Sequence, residues 1–149
     1  MPAMKSFFAK LLGAGSRLSD IEKMVLDCVR DQLDARIANL WDSEVRAINK
    51  VQRLPEGVEV NFYTMKGGRP NFDEELAFSN KTTELLVAKV RLELPNMRGK
   101  LTAKVWCINR FVFSIEYDGS VSYFEETAGM DPRPEFKVSC ELTADLASA

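Results

Sequence analysis

The chain of 149 residues contains no histidine. Histidine is the side chain that most often transfers protons in catalysis and the commonest ligand of catalytic zinc, iron and copper. Its absence excludes Ser-His-Asp and Cys-His nucleophile arrangements and leaves carboxylates as the ligands for any catalytic metal. We therefore expect a protein that is not an enzyme and that holds no metal and no cofactor.

Cysteine is scarce as well. Cys28, Cys107 and Cys140 are odd in number and far apart, and each lies in an apolar run. They lack the short paired spacing of a structural zinc site, and their pattern argues against a disulfide framework and for a reducing compartment. We expect three buried, inert thiols; the alternative is one reactive thiol, such as Cys107 in an enzyme.

No long apolar run is present. A membrane-spanning helix needs about 18 consecutive apolar residues, and Lys10 interrupts the apolar run near the start of the chain, so we expect no export signal and a cytoplasmic protein. Five apolar residues at helical spacing predict a short amphipathic helix that docks on the domain, with transient membrane contact as the alternative: Met4, Phe7, Phe8, Leu11 and Leu12.

Three short segments resemble chemical sites only in part. The segment 66–69 (KGGR) lacks the Lys-Ser/Thr end and the following helix of a phosphate-binding loop, so it predicts a hairpin loop, with weak anion binding as the alternative. The acidic clusters at 73–75 and 125–126 are adjacent residues, whereas a two-acid hydrolase opposes its carboxylates across a cleft. We expect solvated acids there; partner contact, catalysis and metal binding are the alternatives.

The first third of the chain has the period of an α-helix. Ser19 and Glu22 fit a capping box, and the apolar residues of 21–33 recur on one face. A second stretch, 37–48, continues this period with a slip near Asp34. The pattern leaves open whether residues 19–48 form one helix or two.

After Asn49 the apolar residues alternate with a period of two, which is typical of strands. Residues 50–54 and 58–63 predict a hairpin, and 86–94, 101–107 and 111–117 predict an antiparallel meander with turns at 95–99 and 109–110. From Asp118 the alternation ends, and a loop is expected before a last strand at 135–142. The tail, 143–149, is expected to fray.

These elements predict one fold class for the whole chain. We expect a single α+β domain over residues 1–149, in which N-terminal helices pack on one face of an antiparallel, meander-type β-sheet.

Charge is distributed unevenly along the chain. The total is −2, which counts against nucleic-acid binding. Residues 116–149 hold eight acidic and two basic residues, a net charge of −6, so the remaining residues carry +4 because the total is −2. The acidic segment therefore favours a basic protein partner.

Aromatic side chains lie among these acids, and aromatics beside charges are effective anchors at interfaces. The candidate partner-binding residues are Tyr117, Asp118, Tyr123, Phe124, Glu125, Glu126 and Asp131. The alternative is a strand end and a loop whose aromatics fill the core while the acids face water.

Three segments carry a resemblance: 48–53 (INKVQR), 60–63 (VNFY) and 113–119 (FSIEYDG). They are similar to stretches of small bacterial proteins, and the layout resembles immunity proteins of contact-dependent or polymorphic toxin systems. The resemblance implies a protein partner: a cognate toxin domain, often a nuclease, whose basic active site is blocked by acidic and aromatic side chains. The alternative function is a small-ligand-binding or structural domain, in which sheet and helices enclose an apolar pocket.

Overall fold

The computed structural model describes residues 18–95 and 99–149. The helices in this part are α1 (Asp20–Arg30), α2 (Ala35–Ala47) and α3 (Val121–Ala128). The strands are β1 (Lys50–Arg53), β2 (Glu59–Tyr63), β3 (Met65–Lys66), β4 (Arg69–Pro70), β5 (Glu84–Glu93), β6 (Lys100–Ile108), β7 (Phe111–Asp118) and β8 (Lys137–Leu142).

Six of the strands form one antiparallel sheet in the order β1-β2-β7-β6-β5-β8. The predicted meander β5-β6-β7 is confirmed, and the predicted hairpin β1-β2 extends it beyond β7. Strands β3 and β4 form a separate hairpin. The last strand, β8, returns to pair with β5, so β1 and β8 are the two edges.

Residues 19–48 form two helices, α1 and α2, rather than one. Ser19 and Glu22 form the predicted capping box at the start of α1. Asp34 starts α2 by accepting a hydrogen bond from the N–H of Ile37 at 3.0 Å. The slip in the apolar period near Asp34 thus marks a helix start, because a capping aspartate has extended backbone geometry.

The core lies between these helices and one face of the sheet. Val25 of α1 and Trp41 of α2 are buried against strand residues such as Val90, Val105 and Ile115. The strand residues that alternate with them are mostly charged or polar and point to the opposite face. The predicted α+β class, with N-terminal helices on one face of the sheet, is confirmed.

Two expectations about the chain after Asp118 are wrong. The predicted loop contains α3, and the tail is packed rather than frayed: Leu146 is buried and the carbonyl oxygen of Ala149 accepts hydrogen bonds from the N–H groups of Lys81 and Thr82. Ala144, Ala147 and Ala149 also pack against the core, so the tail buries apolar area along with Leu146.

Two expectations lie outside the described residues: the amphipathic helix at 4–12, and the turn at 95–99 in its central part. Among the helices that the structure describes, none is both long and apolar enough to cross a bilayer.

One acidic side chain lies inside the core. Glu44 of α2 is 5% exposed, and its Oε1 accepts a hydrogen bond from the N–H of Val112 at 2.8 Å, at the β-bulge where β6 and β7 shift register. Its Oε2 is shielded and has no partner among the described residues. Burial raises the pKa of Glu44 to about 9, so at neutral pH the side chain is a neutral acid.

The protonation of Glu44 predicts a pH dependence of stability. The folded state keeps a proton up to about pH 9, whereas the unfolded chain releases it at the ordinary carboxyl pKa. The free energy of unfolding should therefore fall between these values as pH rises, by at most about 1.4 kcal/mol per pH unit. Urea denaturation from acid to alkaline pH measures this slope.

Glu44→Gln should flatten the slope, because the amide keeps the acceptor for Val112 and cannot ionise. Glu75→Gln, at an exposed position, is the matched control and should keep the wild-type slope. Equal slopes in all three proteins would contradict a neutral Glu44 in the folded state.

Candidate partner-binding surface

The acidic segment turns sharply between β7 and α3. Gly119 has a φ of +124°, and a Cβ added there would lie 3.1 Å from the carbonyl oxygen of Lys100. Only glycine fits such a position without strain. This turn places α3 beside the last residues of β7.

Helix α3 has one buried and one exposed face. Phe124, Thr127 and Ala128 point into the protein, while Tyr123 and Glu126, three residues apart, lie on the outer face. Tyr123 is 46% exposed, and Met130, just past the helix end, is 57% exposed. Two large apolar side chains, one on α3 and one just after it, are thus largely exposed to water.

The structure separates the seven candidate residues into three groups. Asp118, Tyr123, Glu126 and Asp131 are exposed; Glu125 is partly buried; and Phe124 and Tyr117 turn inward. We call the exposed set with Met130 the α3 surface: Asp118, Tyr123, Glu126, Met130 and Asp131.

Phe124 belongs to the hydrophobic core. It is 3% exposed, and its ring centroid lies 6.3 Å from that of Phe136. Its contribution is to anchor α3, and it is not available to a partner on this surface.

Glu125 is used inside the molecule. Its Oε1 accepts a hydrogen bond from the N–H of Ile21 at 2.9 Å, in the first turn of α1. The first N–H groups of a helix lack internal partners and carry a partial positive charge, so a carboxylate is favoured there. Glu125 therefore attaches α3 to α1.

Arg133 makes a second connection between the same helices. Its Nε donates to the carbonyl oxygen of Ala128 at 2.7 Å, at the end of α3, and its Nη2 lies 3.2 Å from Oδ2 of Asp20. A cation at a helix C-terminus complements the helix dipole. The contacts of Glu125 and Arg133 thus both hold α3 against the start of α1.

The start of α1 is also tied to the sheet. Arg53 of β1 donates from Nε and Nη2 to the two carboxylate oxygens of Glu22, at 3.0 and 2.9 Å. The same carboxylate accepts from the N–H of Ser19 at 2.8 Å. A bidentate arginine–carboxylate pair is among the stronger ionic contacts. It offsets the desolvation cost of burying the Glu22 carboxylate.

Tyr117 lies between these charges. Its hydroxyl is shielded from solvent and has no hydrogen-bond partner among the described residues. Burial, together with the carboxylates of Glu22 and Glu125, raises the pKa of Tyr117 well above its usual range. The hydroxyl is a buried polar group without compensation.

We expect Glu125→Ala to lower the free energy of unfolding by about 1–2 kcal/mol, because the N–H of Ile21 loses its acceptor. The matched control is Glu126→Ala, whose exposed side chain should change stability by less than about 0.5 kcal/mol. Urea denaturation measures the free energy of unfolding of both variants. Equal values for the two variants would contradict a structural role for Glu125.

Tyr117→Phe removes the uncompensated hydroxyl and keeps the ring. The free energy of unfolding should stay the same or rise by up to about 1–2 kcal/mol. A clear loss of stability on thermal or urea denaturation would show that the hydroxyl has a partner in solution.

Met130 is absent from the residues that the sequence singles out. Because the segment is predicted as a loop, nothing places Met130 near Tyr123. No signal in the sequence finds it, since Met130 follows α3 by two residues and α3 itself is not predicted.

The other motifs give no chemical site. Residues 66–69 form the tight β3-β4 hairpin, with both glycines at positive φ, as predicted. The acids at 73–75 are exposed, and Glu74 pairs with Arg110 at 2.6 Å. In residues 18–95 and 99–149, no three acidic or cysteine side chains cluster as metal ligands do.

The cysteines are all free thiols, but only Cys107 is buried as expected; Cys28 and Cys140 are partly exposed. Burial raises the pKa of Cys107 well above its usual range, and burial followed by the neighbouring Cys28 raises that of Cys140 to about 12. The thiol forms are thus favoured at neutral pH, whereas nucleophilic cysteines need the thiolate.

A recess of about 490 Å³, lined in part by Pro95 and Phe136, lies at the surface and opens to solvent. The narrow cavity beside Glu44 measures about 10 Å³, room for about one water molecule. Neither has the enclosed apolar form typical of a small-ligand site.

Comparison with protein-family models, with curated proteins and with solved structures finds no match to this chain.

Proposed function

We propose that this chain is a non-catalytic binding protein that docks a basic partner protein on the α3 surface, and that it acts as an immunity protein neutralising a cognate toxin domain. The observation that carries the proposal is the exposure of Tyr123 and Met130 among three exposed acids. Four large apolar side chains are more than a third exposed in the described part of the chain, and two of them are on this surface.

The composition of the α3 surface suits an interface. Tyrosine and methionine are enriched at the centres of protein interfaces, and tyrosine buries a large area at little cost in conformational entropy. Glu126 shares the outer face of α3 with Tyr123, and Asp118 and Asp131 are exposed shortly before and after the helix in the chain. A carboxylate rim would speed encounter with a basic partner and disfavour acidic ones.

The rigidity of α3 adds to this argument. Phe124 fixes its inner face, Glu125 joins it to α1, and Arg133 joins its C-terminus to Asp20. A partner would meet a surface that is already ordered, so little conformational entropy is lost on binding.

A toxin that cleaves nucleic acid offers a complementary surface. Its active site presents lysine and arginine side chains arranged for phosphates, and these also accept carboxylates. The resemblance to immunity proteins of toxin systems supports this choice of partner. Blocking such a site requires no chemistry from the inhibitor.

The first experiment tests neutralisation. The chain is co-expressed with the C-terminal domain of the toxin encoded beside its gene, and we expect growth to be restored. Failure of the wild-type chain to restore growth, or the lack of such a neighbouring toxin gene, would overturn the immunity function.

The second experiment tests the surface. Tyr123→Ala should weaken binding to the purified toxin domain by about 2 kcal/mol, roughly thirtyfold, and Glu126→Lys should slow association, with a smaller effect at high salt. Calorimetry and stopped-flow kinetics measure the two effects.

Glu75→Lys is the matched charge-reversal control, since Glu75 is exposed and lies outside the α3 surface. It should bind like the wild type. If the Tyr123 and Glu126 variants also bind like the wild type while retaining their fold by circular dichroism, the α3 surface is not the interface.

A further inference from the structure

Among the residues that the structure describes, β8 is the last strand of the sheet and pairs on one side only, with β5. The N–H of Thr143 donates to the carbonyl oxygen of Val87 at 2.8 Å, in the same register that pairs Leu142 with Ala88. Hydrogen-bonded pairs alternate along an antiparallel ladder, so Lys137, Ser139 and Glu141 bond to β5. The backbone N–H and C=O groups of the other β8 residues, Val138, Cys140 and Leu142, therefore point to the free edge.

The two edges of the sheet differ in their protection. β1 has four residues, two of them basic, and is followed at once by Leu54-Pro55. Short length, charge and proline are the usual ways to prevent edge pairing. β8 has six residues, no proline or glycine and one charge of each sign, Lys137 and Glu141, and Leu142 at its end is more than a third exposed.

The outward side chains of β8 are self-complementary. In antiparallel pairing, opposed residues lie on the same face. If a second β8 strand runs antiparallel to the first across a two-fold axis at Ser139, Lys137 lies opposite Glu141 of the second copy, and Glu141 lies opposite its Lys137. The backbone donors and acceptors also match. In this register Val138 lies opposite Cys140 of the second copy, and the two residues exchange backbone N–H···O=C hydrogen bonds.

We propose that the free edge of β8 pairs with β8 of a second copy of this chain, in the register centred on Ser139, and forms a dimer with one continuous twelve-stranded sheet. A register centred on Cys140 would place Lys137 opposite Thr143 and Glu141 opposite Ser139, and so would form no ion pair. Within one chain, Lys137 lies 3.9 Å from Glu93, and no ion pair of Glu141 is found in the described part of the chain. Both charges are exposed and available to a second copy.

Sedimentation equilibrium of the full chain tests the dimer. We expect a reversible shift from the chain mass of 16.8 kDa to twice this value as concentration rises to about 100 µM. A chain that stays monomeric over this range overturns the proposal.

Charge exchange tests the register. Lys137→Glu and Glu141→Lys each turn two attractions across the axis into two repulsions, so each should raise the dissociation constant about tenfold or more. The double variant recreates the ion pairs with reversed signs and should return to within about threefold of the wild type.

Lys66→Glu, on the β3-β4 hairpin, is the charge-reversal control and should leave dimerisation unchanged. Urea denaturation checks that the edge variants remain folded. If the single variants dimerise as well as the wild type, or if the double variant remains as weak as the singles, the Ser139-centred pairing is wrong.

A disulfide at the axis gives an independent readout. Opposed residues of a non-hydrogen-bonded pair have Cα atoms about 4.5 Å apart, within the range that a disulfide spans. With oxidised glutathione as the electron acceptor, Ser139→Cys should form a covalent dimer. A Ser139→Cys chain that remains monomeric, or a wild-type chain that cross-links through Cys140, overturns the register.

Discussion

The first turn of α1 is where three separate parts of the chain are joined, and the position of α3 depends on it. The carboxylate of Glu22 pairs with Arg53 of β1 and accepts a hydrogen bond from the N–H of Ser19, while the carboxylate of Glu125 accepts one from the N–H of Ile21. Each contact satisfies a group that burial would otherwise leave unpaired. One helix end therefore sets the position of the hairpin edge and of α3.

This arrangement assigns different roles to neighbouring acids. Glu125 and Glu126 are adjacent in the chain and equal in charge, yet one holds the fold together and the other faces water. The net charge of the acidic segment therefore overstates what a partner can meet. The exposed pair Tyr123 and Met130, together with the remaining acids, is a smaller and better defined surface.

The alternation of the strands predicted much of the sheet. The meander, the first hairpin and the capping box at Ser19 follow from periods and turn residues that act over a few positions. The helix after Asp118 could not be predicted in this way, because its eight residues have weak periodicity and lie between glycines. Packing of Phe124 against the core, rather than local preference, stabilises it.

By itself the sequence determined the fold class, the number of strands in the meander and the absence of any histidine-based site, because composition and short-range periodicity are properties of the chain alone. The tertiary structure decided which charges are free, since Glu22, Glu44 and Glu125 find their partners in residues 31, 68 and 104 positions away. It also decided that β8 is an edge strand, because β8 pairs with β5, a strand that lies far from it in the sequence.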